Sequence, residues 1–265
     1  MESPEEIQRS APRRVDLIDV GGGVLACLAD VHGNTAALEA VLASEDFAQA
    51  DAVAFLGCTT TGPDPHGVLG RCADLKMPVF HLAGNGERWV LDLVSGTRPY
   101  EREVDEWLVA AHGDEGLAAI GSWPGGLRVA HPPSGGLRLC HGSPRSDVEL
   151  LTTLTGDDRL REATAGVDES VIVHGHTHVQ YHRDAVGKVI TGAGSVGLPY
   201  AAGPGARWAL ISDEVRLVVT PYDLERAEAL VAATGYPGDA YLKTLRQPPS
   251  PEAKTADAEK LVFSN

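Results

Sequence analysis

"LADVHGNTAALEAVL", residues 28–42, decides how this chain folds. Its first half closes an apolar run, "VLACLA", and passes directly into two side chains able to bind a metal, Asp30 and His32. Its second half reads as a helix: Asn34 is an N-cap type, and Leu38, Val41 and Leu42 repeat at the i, i+3, i+4 spacing of one apolar face. Strand, ligand-bearing loop and helix follow one another here. The same ending recurs in "FLGC", "LAGNGE", "LCHGSP" and "VHGHTH". Each apolar run would bring its polar ending to one edge of a sheet, where loops build active sites. Asp30 and His32 are two residues apart, as are His176 and His178, so an extended chain would point each pair the same way. A single loop histidine is ordinarily solvated or hydrogen-bonded within the protein; five such strand ends together point to one shared site.

Around this motif, β-type runs recur as "VDLIDV", "AVAFLG", "PVFHLAG", "LRVAH", "LRLCHG", "VIVHG", "KVITG", "WALIS" and "VRLVVTP". Helical spacing recurs at Val104, Trp107, Leu108 and Ala111, and again at Leu224, Ala227 and Val231 between Asp223 and Gly235. Strands and helices alternate early, and strands dominate later, including a hairpin that turns at Asp213 and Glu214. One domain is expected over residues 15–245, with a loose N-terminal tail at 1–14 and a loose C-terminal tail at 246–265, both rich in charge and proline.

Composition narrows the function. With 43% hydrophobic and 22% charged residues the 265-residue chain is of ordinary globular type, and its apolar runs are too short to span a bilayer. A net charge of −15 repels a polyanion, so duplex nucleic acid is excluded as a partner and no membrane association is expected. The opening "MESPEEIQRSAPRR" lacks the apolar core of a secretory signal, which places the protein in the cytoplasm. Cys27, Cys58, Cys72 and Cys140 show no CxxC spacing and are read as reduced thiols. Cys27 and Cys140 belong to strand patterns and Cys72 to a helix; Cys58 alone stands among the ligand-type endings.

Taken in order, "LADVHGNTAALEAVL", "FLGCTTTGPDP", "GNGE", "CHGSP", "HGHTH" and "GSVGLP" resemble the calcineurin-like metallophosphoesterases, in particular the compact bacterial branch related to small phosphodiesterases, over roughly residues 24–222. The resemblance implies an α/β (α+β) fold, a two-sheet β-sandwich flanked by α-helices. It also implies that Asp30, His32 and His178 bind one divalent ion and that Asn85, His141 and His176 bind a second. Where the family has an aspartate bridging the two ions, this chain has Cys58. Where the family has a histidine after the Gly-Asn pair, it has Gly86. A bridging thiolate would favour zinc or iron over manganese as the one or two ions bound.

The activity so implied is hydrolysis of a small phosphorylated substrate by a metal-bound hydroxide, with Asn85 and His141 at the reacting phosphate. With no acid at Gly86, Glu87 or His174 could supply the leaving-group proton, although His174 ends an apolar strand and also reads as a structural histidine. Asn34 at a helix start, with Ser143 and Arg145 beside His141, could hold the substrate phosphate; a cap and surface solvation explain them equally well. "TTT" at 59–61 and "GPDP" form a loop at the site mouth. Two alternatives stay open. Asp30, His32 and His178 alone would make the two-histidine, one-carboxylate triad of non-haem iron enzymes, with non-hydrolytic chemistry on a small metabolite. Alternatively, the departures at Cys58 and Gly86 leave a catalytically silent binding protein.

Overall fold

Residues 14–263 are described in the computed structural model. Every apolar run singled out above becomes a strand. The strands are β1 (Val15–Asp19), β2 (Leu25–Leu28), β3 (Ala52–Leu56), β4 (Val79–Leu82), β5 (Gly126–Ala130), β6 (Leu137–Cys140), β7 (Val171–His174), β8 (Gln180–Ala185), β9 (Lys188–Ala193), β10 (Ala206–Ile211) and β11 (Val215–Thr220). They form a six-stranded sheet in the order β1-β5-β6-β7-β9-β8 and a five-stranded sheet in the order β11-β10-β2-β3-β4. β2, β3 and β4 run parallel, with Leu25 beside Ala52 and Val53 beside Val79, and β6 and β7 are also parallel. Five strands therefore finish towards loops that carry the candidate ligands.

Period-two alternation builds the sandwich. Leu25, Cys27, Ala52, Ala54 and Leu56 turn inward onto Leu127, Leu139 and Val173 of the opposing sheet. Their neighbours Ala26, Leu28, Val53 and Phe55 turn outward onto a second apolar layer that includes Leu38, Val41 and Val68 of the covering helices. The central strands are apolar on both faces because both faces are covered. Cys27, Cys72 and Cys140 are buried, free thiols in apolar clusters, as their sequence positions imply.

The helices are α1 (Thr35–Leu42), α2 (Pro65–Ala73), α3 (Asn85–Ser95), α4 (Glu103–Ser122), α5 (Asp157–Ala163), α6 (Leu224–Thr234), α7 (Asp239–Arg246) and α8 (Pro251–Leu261). Asn34 caps α1 through Ala37 N, and Asp223 caps α6 through Arg226 N. α4 is interrupted at Gly113, where φ is 57°. Two-sheet architecture with flanking helices is the fold that the motifs imply.

The C-terminal expectation needs correction. Past residue 245 the chain continues into the end of α7 and then α8, not a loose tail. Ser250 caps α8 by accepting from Ala253 N at 3.2 Å. The helix is anchored by Glu259, whose carboxylate accepts from Thr152 Oγ1 at 2.6 Å and Thr155 Oγ1 at 2.8 Å and pairs with Arg159 at 3.0 Å. Leu150 N then donates to Val262 O at 2.9 Å. Polar anchoring of this kind leaves no hydrophobic period to read. Apart from Arg14, the expected N-terminal tail lies outside the described residues. Among the described residues no helix is long and apolar enough to cross a membrane.

Candidate metal centre

All seven side chains assigned to metal binding lie at the ends of β2, β3, β4, β6 and β7, on both sheets. Extended-chain parity is not what brings them together. Asp30, His32, Cys58, His176 and His178 each have a left-handed backbone, with φ of 53°, 48°, 47°, 66° and 57°. Non-glycine residues enter this region at a cost of about 1 kcal/mol or more each, so strain is concentrated at the site. Backbone hydrogen bonds hold the loops in place: Asp30 N to Gly57 O at 3.0 Å, His32 N to Cys58 O at 2.9 Å, and Tyr200 N to His178 O at 3.0 Å. Gly57, with φ of 84°, permits a further close approach, since a Cβ there would lie 2.6 Å from Gly84 N and 2.7 Å from His141 Nδ1.

The histidines are oriented by backbone carbonyls. His32 Nδ1 meets Thr61 O at 2.9 Å, His141 Nδ1 meets Leu56 O at 2.7 Å, and His178 Nδ1 meets Leu198 O at 2.7 Å. Each Nδ1 therefore donates to a carbonyl, and each Nε2 is turned into the site. Two of those Nε2 atoms confront each other, His32 Nε2 and His178 Nε2 being 3.1 Å apart. Asp30 Oδ1 lies 3.3 Å from His178 Nε2, 3.6 Å from His32 Nε2 and 3.9 Å from His141 Nε2. This oxygen is buried and has no hydrogen-bond partner, while Asp30 Oδ2 accepts from His176 N at 2.7 Å.

The second group adjoins the first. His141 Nε2 is 2.8 Å from Asn85 Oδ1, and Cys58 Sγ lies 3.2 Å from His141 Nε2 and 3.3 Å from Asn85 Oδ1. The His141 and His176 rings are 4.9 Å apart. Cys58 also falls with Asp30 and His32 in a set whose ligand atoms all lie within 4.8 Å of one another. The thiol thus contacts the second group and lies within 4.8 Å of Asp30 and His32 in the first. Clustered acceptors around an orphaned carboxylate oxygen fit a divalent cation. Burial pushes the Asp30 carboxyl up, but the facing His178 and His141 outweigh it and hold the group well below the usual carboxylate range. Burial, reinforced by Glu87 and Asp30, pushes the Cys58 thiol well above its ordinary value.

The other assigned residues are placed elsewhere. Glu87 faces away from the site: it accepts from Cys58 N and Gly84 N through one oxygen and from Thr59 N, Thr60 N and Thr60 Oγ1 through the other, at 2.8 to 3.2 Å. It positions two ligand loops and has no direction left for a leaving group. His174 is also structural, bonded at 2.9 Å to Gly175 O and at 2.7 Å to Tyr181 Oη, and burial pushes it down to about 4. Asn34 is used at both ends of its amide, by Ala37 N and by Gly197 O. Ser143 donates to Glu149 at 2.6 Å, and Arg145 holds the same carboxylate with two nitrogens at 2.9 and 2.7 Å. None of these three is free to bind a phosphate in this arrangement. Sequence neighbourhood suggested these roles; side-chain direction decides otherwise.

Thr61 was visible in the sequence only as part of the "TTT" loop. A Cβ at Gly86 would overlap Thr61 Oγ1 and lie 3.0 Å from Cys58 Sγ. The space for a histidine at position 86 is therefore filled by threonine, whose hydroxyl is buried and has no hydrogen-bond partner.

Two packed sheets flanked by helices, with potential metal-binding side chains gathered at shared strand ends, give this chain the metallophosphoesterase fold. No protein-family model matches it. A metallophosphoesterase from Sphaerobacter thermophilus superposes with a TM-score of 0.66 at 22% identity, over 84% of this chain and 98% of that one. A hypothetical protein from Pyrococcus horikoshii OT3 superposes with a TM-score of 0.71 at 19% identity, over 84% and 97%. In sequence, the chain is 34% identical over 152 residues to a symmetrical bis(5'-nucleosyl)-tetraphosphatase of Acidovorax sp. strain JS42. That match takes in 56% of this chain and 51% of the relative, so it spans about half the relative's length.

Proposed function

We propose that the chain is a metal-dependent phosphoesterase whose two ion sites share Cys58, acting on a small phosphorylated substrate. The observation that carries this reading is the confrontation of His32 Nε2 and His178 Nε2 at 3.1 Å beside the unpartnered Asp30 Oδ1, an arrangement that calls for a cation. Asp30, His32 and His178 would hold one ion, and Asn85, His141 and His176 the second. The thiolate favours zinc or iron at these positions over manganese. A bound pair would polarise the phosphoryl oxygens and activate water for attack. The protein's part is to fix the ligands through backbone carbonyls, and to seal the loop behind them with Glu87. Four free, buried cysteines suit the reducing cytoplasm. The name of the Acidovorax relative makes dinucleoside polyphosphates the first substrates to assay.

The test is the ion content of protein purified without air or added metal, measured by elemental mass spectrometry for the native chain and Cys58→Ala. Two zinc or iron ions, falling to one or none in the variant, are expected. A native chain free of metal, or an ion content indifferent to residue 58, overturns the shared-thiolate site. Release of inorganic phosphate or of p-nitrophenolate then reports hydrolysis directly.

A further inference from the structure

α8 covers a cavity of about 150 Å³ that opens beside the metal centre. His176 and Tyr200 stand at its inner end, Leu151 and Tyr181 line it from the core, and Ala258 and Leu261 line it from the helix. The Tyr200 ring lies 4.8 Å from the His178 ring, and Lys254 stands over the Tyr200 ring at 5.2 Å. An unbroken line of contacts therefore runs from a candidate ligand, through an aromatic face, to an ammonium group. Asp257, the carboxylate at this cavity, pairs with Lys260 at 3.1 Å, and Lys254 forms no ion pair among the described residues. Lys254 thus remains available to an anion in a strongly acidic protein.

Resting on the phosphoesterase reading, we infer that this cavity is a subsite for a planar ring carried by the phosphoester as the substituent that does not leave, with Lys254 attracting the anionic ester at the mouth. A cavity of this size, lined by Leu151, Val179, Ala258 and Leu261 together with polar groups, accommodates a single ring but offers little to a methyl group beyond empty space. The wall is fixed: Glu259 and the Leu150–Val262 backbone bond tie α8 to the core. Ring recognition then comes from contact with Leu151, Tyr181 and Ala258 and with the edge of Tyr200.

Two diesters with the same leaving group isolate this effect: phenyl p-nitrophenyl phosphate and methyl p-nitrophenyl phosphate. The native chain should prefer the phenyl ester in kcat/KM by about tenfold, chiefly through KM. Ala258→Trp fills the cavity and should bring that ratio close to one. Lys254→Glu, at the half-buried edge of the cavity, reverses the charge without filling the cavity and should raise KM for the phenyl ester about fivefold or more. A native ratio near one, or a ratio and KM untouched by both variants, overturns the inference. If neither ester is hydrolysed, the hydrolytic reading fails on its own, and the cavity is read by calorimetric binding of phenyl phosphate against methyl phosphate. Phenyl phosphate should then bind the native chain and bind less well to both variants; no difference between the two ligands overturns the subsite.

Discussion

Glu87 gives the sharpest test of how the site is held. Its two carboxylate oxygens satisfy four buried backbone N–H groups, those of Cys58, Thr59, Thr60 and Gly84, and the Thr60 hydroxyl. Glu87→Ala strands all four amides at about 1–3 kcal/mol each, partly recovered as loops relax and water enters, for a net loss of about 4 kcal/mol. Glu87→Gln keeps one acceptor oxygen and turns an amide donor towards two N–H groups, so its loss should be about 2–3 kcal/mol. Urea unfolding of metal-free protein measures both values, and the ion content of each variant as purified, before metal is removed, should fall together with stability, because the Cys58 and Asn85 loops loosen. A proton-donor role predicts a different outcome, in which Glu87→Gln slows hydrolysis of alkyl esters and leaves unfolding unchanged. Glu87→Ala within about 1 kcal/mol of native, with its ions retained, would refute the positioning role.

Four other outcomes follow from the geometry. Gly86→His should destabilise the protein in urea by about 2 kcal/mol through overlap with Thr61, and pairing it with Thr61→Gly should recover most of that loss. His81 is stacked between Phe55 at 4.9 Å and Trp123 at 4.4 Å, and burial pushes it down to about 4. Its unfolded form titrates near 6.5, so the stability present above that pH is lost as pH falls from about 6.5 through 4; allowing for the ring's partial exposure, about 2 kcal/mol disappears. His81→Phe should flatten that part of a stability–pH curve relative to native protein. Chelation of a tightly bound ion should lower thermal stability by about 4 kcal/mol at a thousandfold excess of free metal over Kd, and equal melting with and without chelator would count against a resident ion. Aryl esters should turn over faster than alkyl esters, because a good leaving group needs no acid at position 86.

Strand positions were legible because each buried strand carries its own apolar run, and the N-caps Asn34 and Asp223 were legible because their partners lie three residues away. β8 escaped notice: Gln180–Ala185 alternates polar residues at the edge of its sheet, with a single inward Tyr181. α3 escaped because its first turn coincides with the "GNGE" motif, which reads as loop chemistry. The gathering of the candidate ligands at one rim was legible from strand endings, whereas the surroundings of the other assigned residues were not. Whether Glu87, Arg145 or His174 faces the ligands or turns away from them depends on donors and acceptors drawn from distant segments, such as Thr59 for Glu87 or Tyr181 for His174. Left-handed φ at Cys58 leaves no mark in residue type, since cysteine is not among the residues enriched in that region.

The candidate ligands are divided between the two sheets, Asp30, His32, Cys58 and Asn85 following strands of one, and His141, His176 and His178 following strands of the other. An ion among them would act mechanically as a rivet through one rim of the sandwich. Sliding of one sheet over the other would be resisted at that rim by coordination bonds, and elsewhere by apolar contact and a few cross-sheet hydrogen bonds, such as those from Gln180 Nε2 to Trp208 O at 2.9 Å and Val218 O at 3.0 Å. Stretching the loaded protein across the rim would therefore meet a stiff, brittle joint, and stretching the ion-free protein the same way would meet a soft, yielding one.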